Sequence, residues 1–321
     1  MNNAPYSIGI DVGATKIKCA VVDAQGVIQI AYEMKSWEYP DLDDNLLLLC
    51  DYIKKLVDKY GVTRIHSIGV GLPGTVDNKL GLVVYTANLG WNRVPLAKIL
   101  TEHTKLPVYL IQDTGAAVWG EFIYGAGRGH TNVVCATIGS GISCGIIIDG
   151  KLYGGKHHTA GEIGHLHIED DGLLCGCGNR GCLETYASGF GLVKMFLHSI
   201  ENGAKSLFFD NKDLNQVDAY SIVKAAKSGD PLCQAIINDM VRYLAMGLSA
   251  VATILTPDII ILSGGLSRET ELLYEPLREL FYKNSYWSVK ENVRISLAQL
   301  GTDAPLIGAA ALYRAPEYNV R

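Results

Sequence analysis

Two short stretches, one around residue 11 and one around residue 137, constrain this chain more than any other feature of it. Each reads as an apolar strand, a tight turn of small residues and a returning apolar strand. The first runs from Tyr6–Asp11 through Val12–Thr15 into Lys16–Val22, and the second from Asn132–Ile138 through Gly139–Gly141 into Ile142–Ile148. Turns this short fix antiparallel hairpins. Their recurrence points to two domains of related topology facing each other. Around them, apolar strands at Ile65–Val70, Val108–Ile111 and Ile259–Leu262 alternate with helical patterns. The clearest helix is Asn45–Tyr60, with Leu46, Leu49, Ile53, Leu56 and Val57 on one side. Further helices are expected near Pro95–His103, Thr114–Phe122, Ser267–Tyr282 and Pro305–Tyr313, with an edge strand at Val293–Leu297. Apolar strands separated by helices mean α/β.

Composition narrows the function. At 321 residues, 48% hydrophobic and 19% charged, the chain has enough apolar residues for two ordinary cores. Acidic residues number 33 against 28 basic, and no basic run exceeds a pair, so nucleic acid is not an expected partner. The N-terminus lacks a basic region followed by an apolar run, and no apolar run reaches 18 residues. No membrane partner is therefore expected, and the expected location is cytoplasmic. Cys19, Cys50, Cys135, Cys144 and Cys233 stand singly in apolar or helical contexts and read as buried small hydrophobes.

Several constellations can carry chemistry. In Asp11-x-Gly13-x-Thr15-Lys16, a carboxylate ends a buried strand, where it is costly without a task. The turn can aim amides at an anion, with Thr15 and Lys16 adding a donor and a charge, and Asp11 can hold a divalent cation. The competing reading is an ordinary hairpin. Thr137-Ile138-Gly139-Ser140-Gly141 is a second anion cradle of the same kind, and Ser263-Gly264-Gly265 a third, weaker one. Three such sites favour a nucleotide, although neither a P-loop nor a dinucleotide fingerprint is present. Asp113 follows a parallel-type strand and precedes a helix, which suits a general base; a helix cap is the alternative. His165, Cys175, Cys177 and Cys182 form His-x9-Cys-x-Cys-x4-Cys, a donor set for structural tetrahedral zinc, with redox clustering as the alternative. Glu162, His165 and Glu184 flank that loop. They suit a polyol or, alternatively, support of the metal.

These pieces together carry a resemblance. Asp11-x-Gly13-x-Thr15-Lys16, Gly71-Leu-Pro-Gly74, Asn88-Leu-x-Trp91 and Thr137-Ile-Gly-Ser-Gly141 recur in the sugar kinases and sugar-responsive repressors of the repressor, ORF, kinase (ROK) family. So do Ala160-Gly-Glu-Ile-Gly-His165, Cys175-x-Cys-Gly-x-x-Gly-Cys-x-Glu184 and Ser263-Gly-Gly265. The chain resembles that family nearly end to end. The resemblance implies a two-lobed actin-like ATPase (ribonuclease H-like) fold with a central cleft, its smaller lobe from 1–117 plus 301–321 and its larger from 118–300. It implies transfer of the γ-phosphate of ATP, with Mg2+, to a sugar hydroxyl, usually O6 of a hexose or N-acetylhexosamine. Asp113 matches the base, and Asn88, Glu162, His165 and Glu184 match sugar contacts. His165, Cys175, Cys177 and Cys182 match the zinc ligands. Asp11, Gly13, Thr15, Lys16, Thr137, Gly139, Ser140 and Gly141 match the phosphate hairpins, and Gly264 and Gly265 the adenosine region.

One segment departs from the family. Ile111-Gln112-Asp113-Thr114-Gly115 stands where relatives read Glu-Asn-Asp-Ala-Asn, so the sugar-binding asparagine is Gln112 and the second asparagine is Gly115. A glucokinase-like hexose kinase is the expectation. Its rivals are an N-acetylmannosamine or N-acetylglucosamine kinase and a non-catalytic sugar sensor, with polyphosphate as the alternative donor. A homodimer is expected because relatives often dimerise. Repressor members carry a helix-turn-helix ahead of the first phosphate motif, which here begins by residue 11.

Overall fold

The computed structural model describes residues 5–36, 41–86, 88–209 and 214–318. The first hairpin consists of β1 (Tyr6–Val12) and β2 (Lys16–Asp23), antiparallel, and β3 (Ile28–Lys35) pairs with β2. β4 (Ile65–Leu72) lies parallel to β1. A small antiparallel sheet of β5 (Thr75–Asp77), β6 (Leu82–Thr86) and β7 (Trp91–Val94) follows. β8 (Val108–Gln112), parallel to β4, completes a first sheet of order β3-β2-β1-β4-β8. The second sheet repeats that plan. β9 (Val133–Ile138), β10 (Ile142–Ile148), β11 (Lys151–Leu152), β12 (Ile259–Ser263) and β13 (Arg294–Leu297) take the order β11-β10-β9-β12-β13, with β13 at an edge as expected. Position for position, the two orders are the same.

The helices are α1 (Leu42–Tyr60), α2 (Leu96–Thr104), α3 (Asp113–Tyr124), α4 (Glu184–Ala187), α5 (Gly189–Glu201), α6 (Ala219–Lys227), α7 (Pro231–Leu255), α8 (Glu275–Asn284), α9 (Trp287–Asn292) and α10 (Ala304–Ala310). α1 buries all five residues named from its periodicity. It starts earlier than expected because Asp41 caps it, accepting the Asp43 amide. The single helix expected over 267–282 is instead a 3-10 turn at Leu266–Arg268, a π turn at Thr270–Tyr274 and then α8. Ser267 Oγ bonds back to Gly264 O, and Glu269 O accepts from both Leu273 and Tyr274, which widens the turn. Pro276 has no amide to continue an α-helical ladder through the segment, and it sits in the first turn of α8.

The chain divides into two compact units. Unit 1 holds Met1–Cys135, Gly145–Ala160 and Ala298–Arg321, and unit 2 holds Ala136–Cys144 and Gly161–Leu297. These limits differ from the lobes expected at 117/118 and 300/301. A boundary at 117 would cut α3, whose Trp119 donates its indole N–H to Ala311 O at 3.0 Å within unit 1. α10 lies directly on β1 and β4. A Cβ at Gly9 would stand 2.1 Å from Leu306 O, and one at Gly69 would stand 1.8 Å from Ala309 O. Only glycine permits that approach. Glu121, fully buried on α3, accepts the amides of Ala126, Gln299 and Leu300 and so ties the returning segment down.

Unit 2 is built on α7. This helix is long and apolar enough by composition to cross a membrane, yet its apolar side is buried against α6 and α8. Asp230 caps it. Burial would raise the Asp230 pKa, but hydrogen bonds from Ser206 Oγ, the Cys233 amide and the Phe208 amide outweigh burial and hold it at about 2. A carboxyl depressed in the folded state stabilises above its unfolded pKa and loses that contribution as pH falls through the folded value. The window is therefore about pH 4 down to about pH 2, and the contribution is about 2 kcal/mol. Asp230→Asn should lower stability at pH 7 by about that amount and flatten the pH dependence below pH 4. Denaturant melts of both proteins between pH 2 and 7 check this, and parallel curves for the two would refute it.

Candidate active site

In unit 1 the register lines up the carboxyl ends of three parallel strands. Asp11 pairs with Gly71, and Gly71 with Ile111, so Asp113 stands two residues beyond the same level. Strand ends of this kind are where open α/β sheets place ligands. Asp113 is the first residue of α3, and its Oδ1 accepts the amide of Thr114 at 2.7 Å. Burial, and next the neighbouring charge of Asp113, push the Asp11 carboxyl up to about 6, against the opposing charge of Lys18. Two carboxylates that feel each other at strand ends have the chemistry to hold a cation or to take up a proton.

In the first hairpin the Gly13 amide donates to Lys16 O at 2.9 Å, closing the turn, and Thr15 is exposed. Lys16 pairs with Glu33 at 3.0 Å on the surface. Gln112 stands in extended backbone just before α3. Asn88 is exposed in the turn between β6 and β7, which the buried Trp91 closes by pairing with Thr86. At Gly115 a side chain would press on the end of the Ile111 side chain, at 2.9 Å, so the glycine leaves Ile111 its present rotamer.

In unit 2, Glu162 precedes a 3-10 turn, Ile163–His165, and the His165 amide donates to Glu162 O at 3.1 Å. Glu162, at the cap of the turn, stands three residues before His165, the spacing at which side chains eclipse within such a turn. Glu184 opens α4. Its Oε2 accepts the Ile142 amide at 3.2 Å, and a Cβ at Gly141 would lie 2.5 Å from that oxygen. Glu184 is thereby fixed against the second hairpin. The ligand atoms of His165, Cys175, Cys177 and Cys182 all lie within 4.8 Å of one another. Cys175 Sγ is 3.7 Å from His165 Nδ1, and Cys177 Sγ is 3.7 Å from Cys182 Sγ. Ligands about 2.3 Å from a tetrahedral zinc ion stand about 3.8 Å apart, a spacing these two pairs match. Backbone bonds Cys175 N to Asn179 O and Gly178 N to Cys175 O shape the loop, and the three sulfurs and one imidazole nitrogen converge without a disulfide.

The second hairpin opens onto a cavity of about 900 Å³. Gly139, Ser140 and Gly265 line it, whereas Gly264 lies behind the wall, against the backbone of Ile138. Thr137 Oγ1 is buried beneath the turn with no hydrogen-bond partner. The amides of Gly189 and Phe190 donate to Gly139 O and Ser140 O, which docks the start of α5 on the turn. Phe190 and Tyr220, 65% and 74% exposed, also line the cavity. Sequence reading missed both, since nothing local distinguishes a cavity aromatic from a core one. Lys18 was missed as well, although alternation along β2 places it on the side of Lys16.

Comparison with known proteins decides the family. The model described as ROK family matches residues 7–315. The chain belongs to the ROK family. The glucokinase of Streptomyces coelicolor is 35% identical over 320 residues, covering 97% of this chain and 98% of that one. The xylose repressor of Caldicellulosiruptor bescii is 31% identical over 309 residues, covering 95% of this chain and 77% of the repressor. A ROK glucokinase from Streptomyces griseus, solved with glucose and AMPPNP, is 34% identical with a TM-score of 0.78, covering 96% of this chain and 98% of that one. The fold is thus the α/β sugar-kinase fold of ROK proteins.

Proposed function

We propose that this protein is an ATP-dependent sugar kinase that phosphorylates a hexose at O6, glucose first among its substrates. The observation that carries the reading is the pair Asp11 and Asp113 at parallel strand ends, in a chain that matches over nearly its full length a glucokinase solved with glucose and AMPPNP. Asp113 orients the sugar hydroxyl and accepts its proton. The sugar oxygen then bonds to the γ-phosphorus as the bond to the β-phosphate oxygen breaks and ADP leaves. Asn88, Gln112, Glu162, His165 and Glu184 are the proposed sugar contacts. The hairpin turns at 13–15 and 139–141, closed by the Gly13 and Gly139 amides, present their other amides to phosphate oxygens, with Thr15, Lys16, Thr137, Ser140 and Gly141 alongside. Gly265 and the apolar cavity, with Gly264 packed behind its wall, suit the adenosine, which favours ATP over polyphosphate. Mg2+, when bound, neutralises phosphate charge; Asp11 is the group to hold it. Zn2+ at His165, Cys175, Cys177 and Cys182 supplies no chemistry of its own and braces the loop that presents His165 and Glu184. The two-lobed cleft and a homodimer, both carried by the family resemblance, and a cytoplasmic location, read from the sequence, complete the proposal.

Gln112 and Gly115 favour a second reading. With Gln112 and Gly115 in place of the family's asparagines, the reach of the amide at the sugar edge changes, which suits an acetamido group and hence an N-acetylhexosamine. A panel of aldohexoses, ketohexoses and N-acetylhexosamines, assayed with ATP and Mg2+ by ADP release, separates the readings. ADP release that depends on glucose is expected. Release only with N-acetylhexosamines selects the second reading, and saturable sugar binding without release from any sugar makes the protein a sensor.

A further inference from the structure

Lys16 and Lys18 project from the same side of β2, since side chains two apart on a strand point the same way. Their surroundings differ. Lys16 meets Glu33 at 3.0 Å, and both are more than half exposed, a setting in which an ion pair holds its members weakly. Lys18 stands directly opposite Asp11 in the hairpin register and is 25% exposed. Its Nζ is 3.4 Å from Asp303 Oδ1, on a residue 285 positions away that immediately precedes α10. α10 in turn rests on β1 and β4. The charged groups around Asp11 are therefore Asp113 from α3, Lys18 and Lys16 from β2, and Asp303 ahead of α10. With Asp11 itself that makes three carboxylates, and the lysine held among them is Lys18.

We infer that Lys18, clasped by Asp303, is a positioning residue that holds the Asp11 carboxylate in place at the mouth of the first hairpin. The inference rests on the kinase reading above and adds to it a residue pair that neither the motif nor the family resemblance singles out. A half-buried ammonium acts on a neighbouring carboxylate through less water than a surface one does, so its removal is felt where Lys16's exposed pairing is not. Without Lys18, the repulsion among Asp11, Asp113 and Asp303 is unopposed on that side, and Asp11 turns away from the phosphates. Catalysis then falls more than substrate affinity does.

Steady-state kinetics on Lys18→Met, Lys18→Arg, Asp303→Asn, Glu33→Gln and the double variant Lys18→Met/Asp303→Asn test this. Lys18→Met should lower kcat at least about tenfold with the sugar KM within about twofold, and Lys18→Arg should restore most of the loss. Asp303→Asn should lose several-fold, and the double variant should be no worse than Lys18→Met, since the two changes break one link. Glu33→Gln should stay within about twofold of the unaltered enzyme. Wild-type kcat in Lys18→Met, additive losses in the double variant, or a failure of arginine to rescue each overturn the inference. Should Lys18→Met not fold, Asp303→Asn and Lys18→Arg decide it. An inactive Asp113→Ala beside an unaffected Lys18→Met removes only this inference, whereas an active Asp113→Ala removes the kinase reading itself.

Discussion

Asp113→Ala should yield a folded protein whose turnover is about a hundredth to a ten-thousandth of the unaltered rate, the range general-base removal commonly gives. The fold should survive because Asp113 lies at the start of α3 rather than in a core, and its bond to the neighbouring Thr114 amide is local. That bond is worth about 1 kcal/mol, a small part of a domain's stability. Sugar and ATP binding, measured calorimetrically, should stay near normal, since a base acts in the transition state more than in the ground state. An ADP-release assay alongside a thermal melt checks both halves. Unaltered turnover would end the assignment of Asp113 as base.

The second large effect is expected at a sulfur that touches no sugar. Protein purified without added metal should carry about one zinc per chain, and Cys177→Ser should lose metal and raise the sugar KM by about 10- to 100-fold. The physical link runs through the loop. Cys175 and Cys182 bracket the segment whose end leads into Glu184, and Leu183 donates to Leu166 O, one residue from His165. Releasing one corner of the cluster frees the backbone that aims both residues. Elemental analysis together with sugar titration of the variant is the measurement. A folded, active preparation with metal near zero would remove zinc from the account.

Particular residues show why some of this was legible in the sequence and some was not. The two hairpins and α1 could be read because their signals are local: small residues at the turns, and a five-residue apolar stripe at helical spacing. The cysteine cluster was legible for the same reason, with three of its four ligands inside eight residues. β5 and β7 were not, because Thr75–Asp77 and Trp91–Val94 are too short and too polar for a period to register. β3 is half exposed, so its alternation is faint. The break in the expected 267–282 helix depends on Ser267 reaching back to Gly264, a contact that helix propensity does not contain. Asp113 could be nominated from its place between strand and helix. Its electrostatic partner Asp11, and the Lys18–Asp303 pair beyond, required pairings between residues far apart in the chain.

The anchoring of the returning segment by Glu121 sets an order of events during synthesis. Glu121 waits 179 positions for the Leu300 amide, and at ribosomal rates of about 5–20 residues per second that interval is roughly 10–40 s. Until it ends, β1 and β4 present the bare strip at Gly9 and Gly69, Ala20 and Val22 lack Leu306 and Ala310, and a carboxylate bound for the interior stays in water. The first unit to leave the ribosome is thus among the last to close. A chain cut short before residue 298 cannot conceal that defect, and quality control can tell it from a finished one by its first hundred residues.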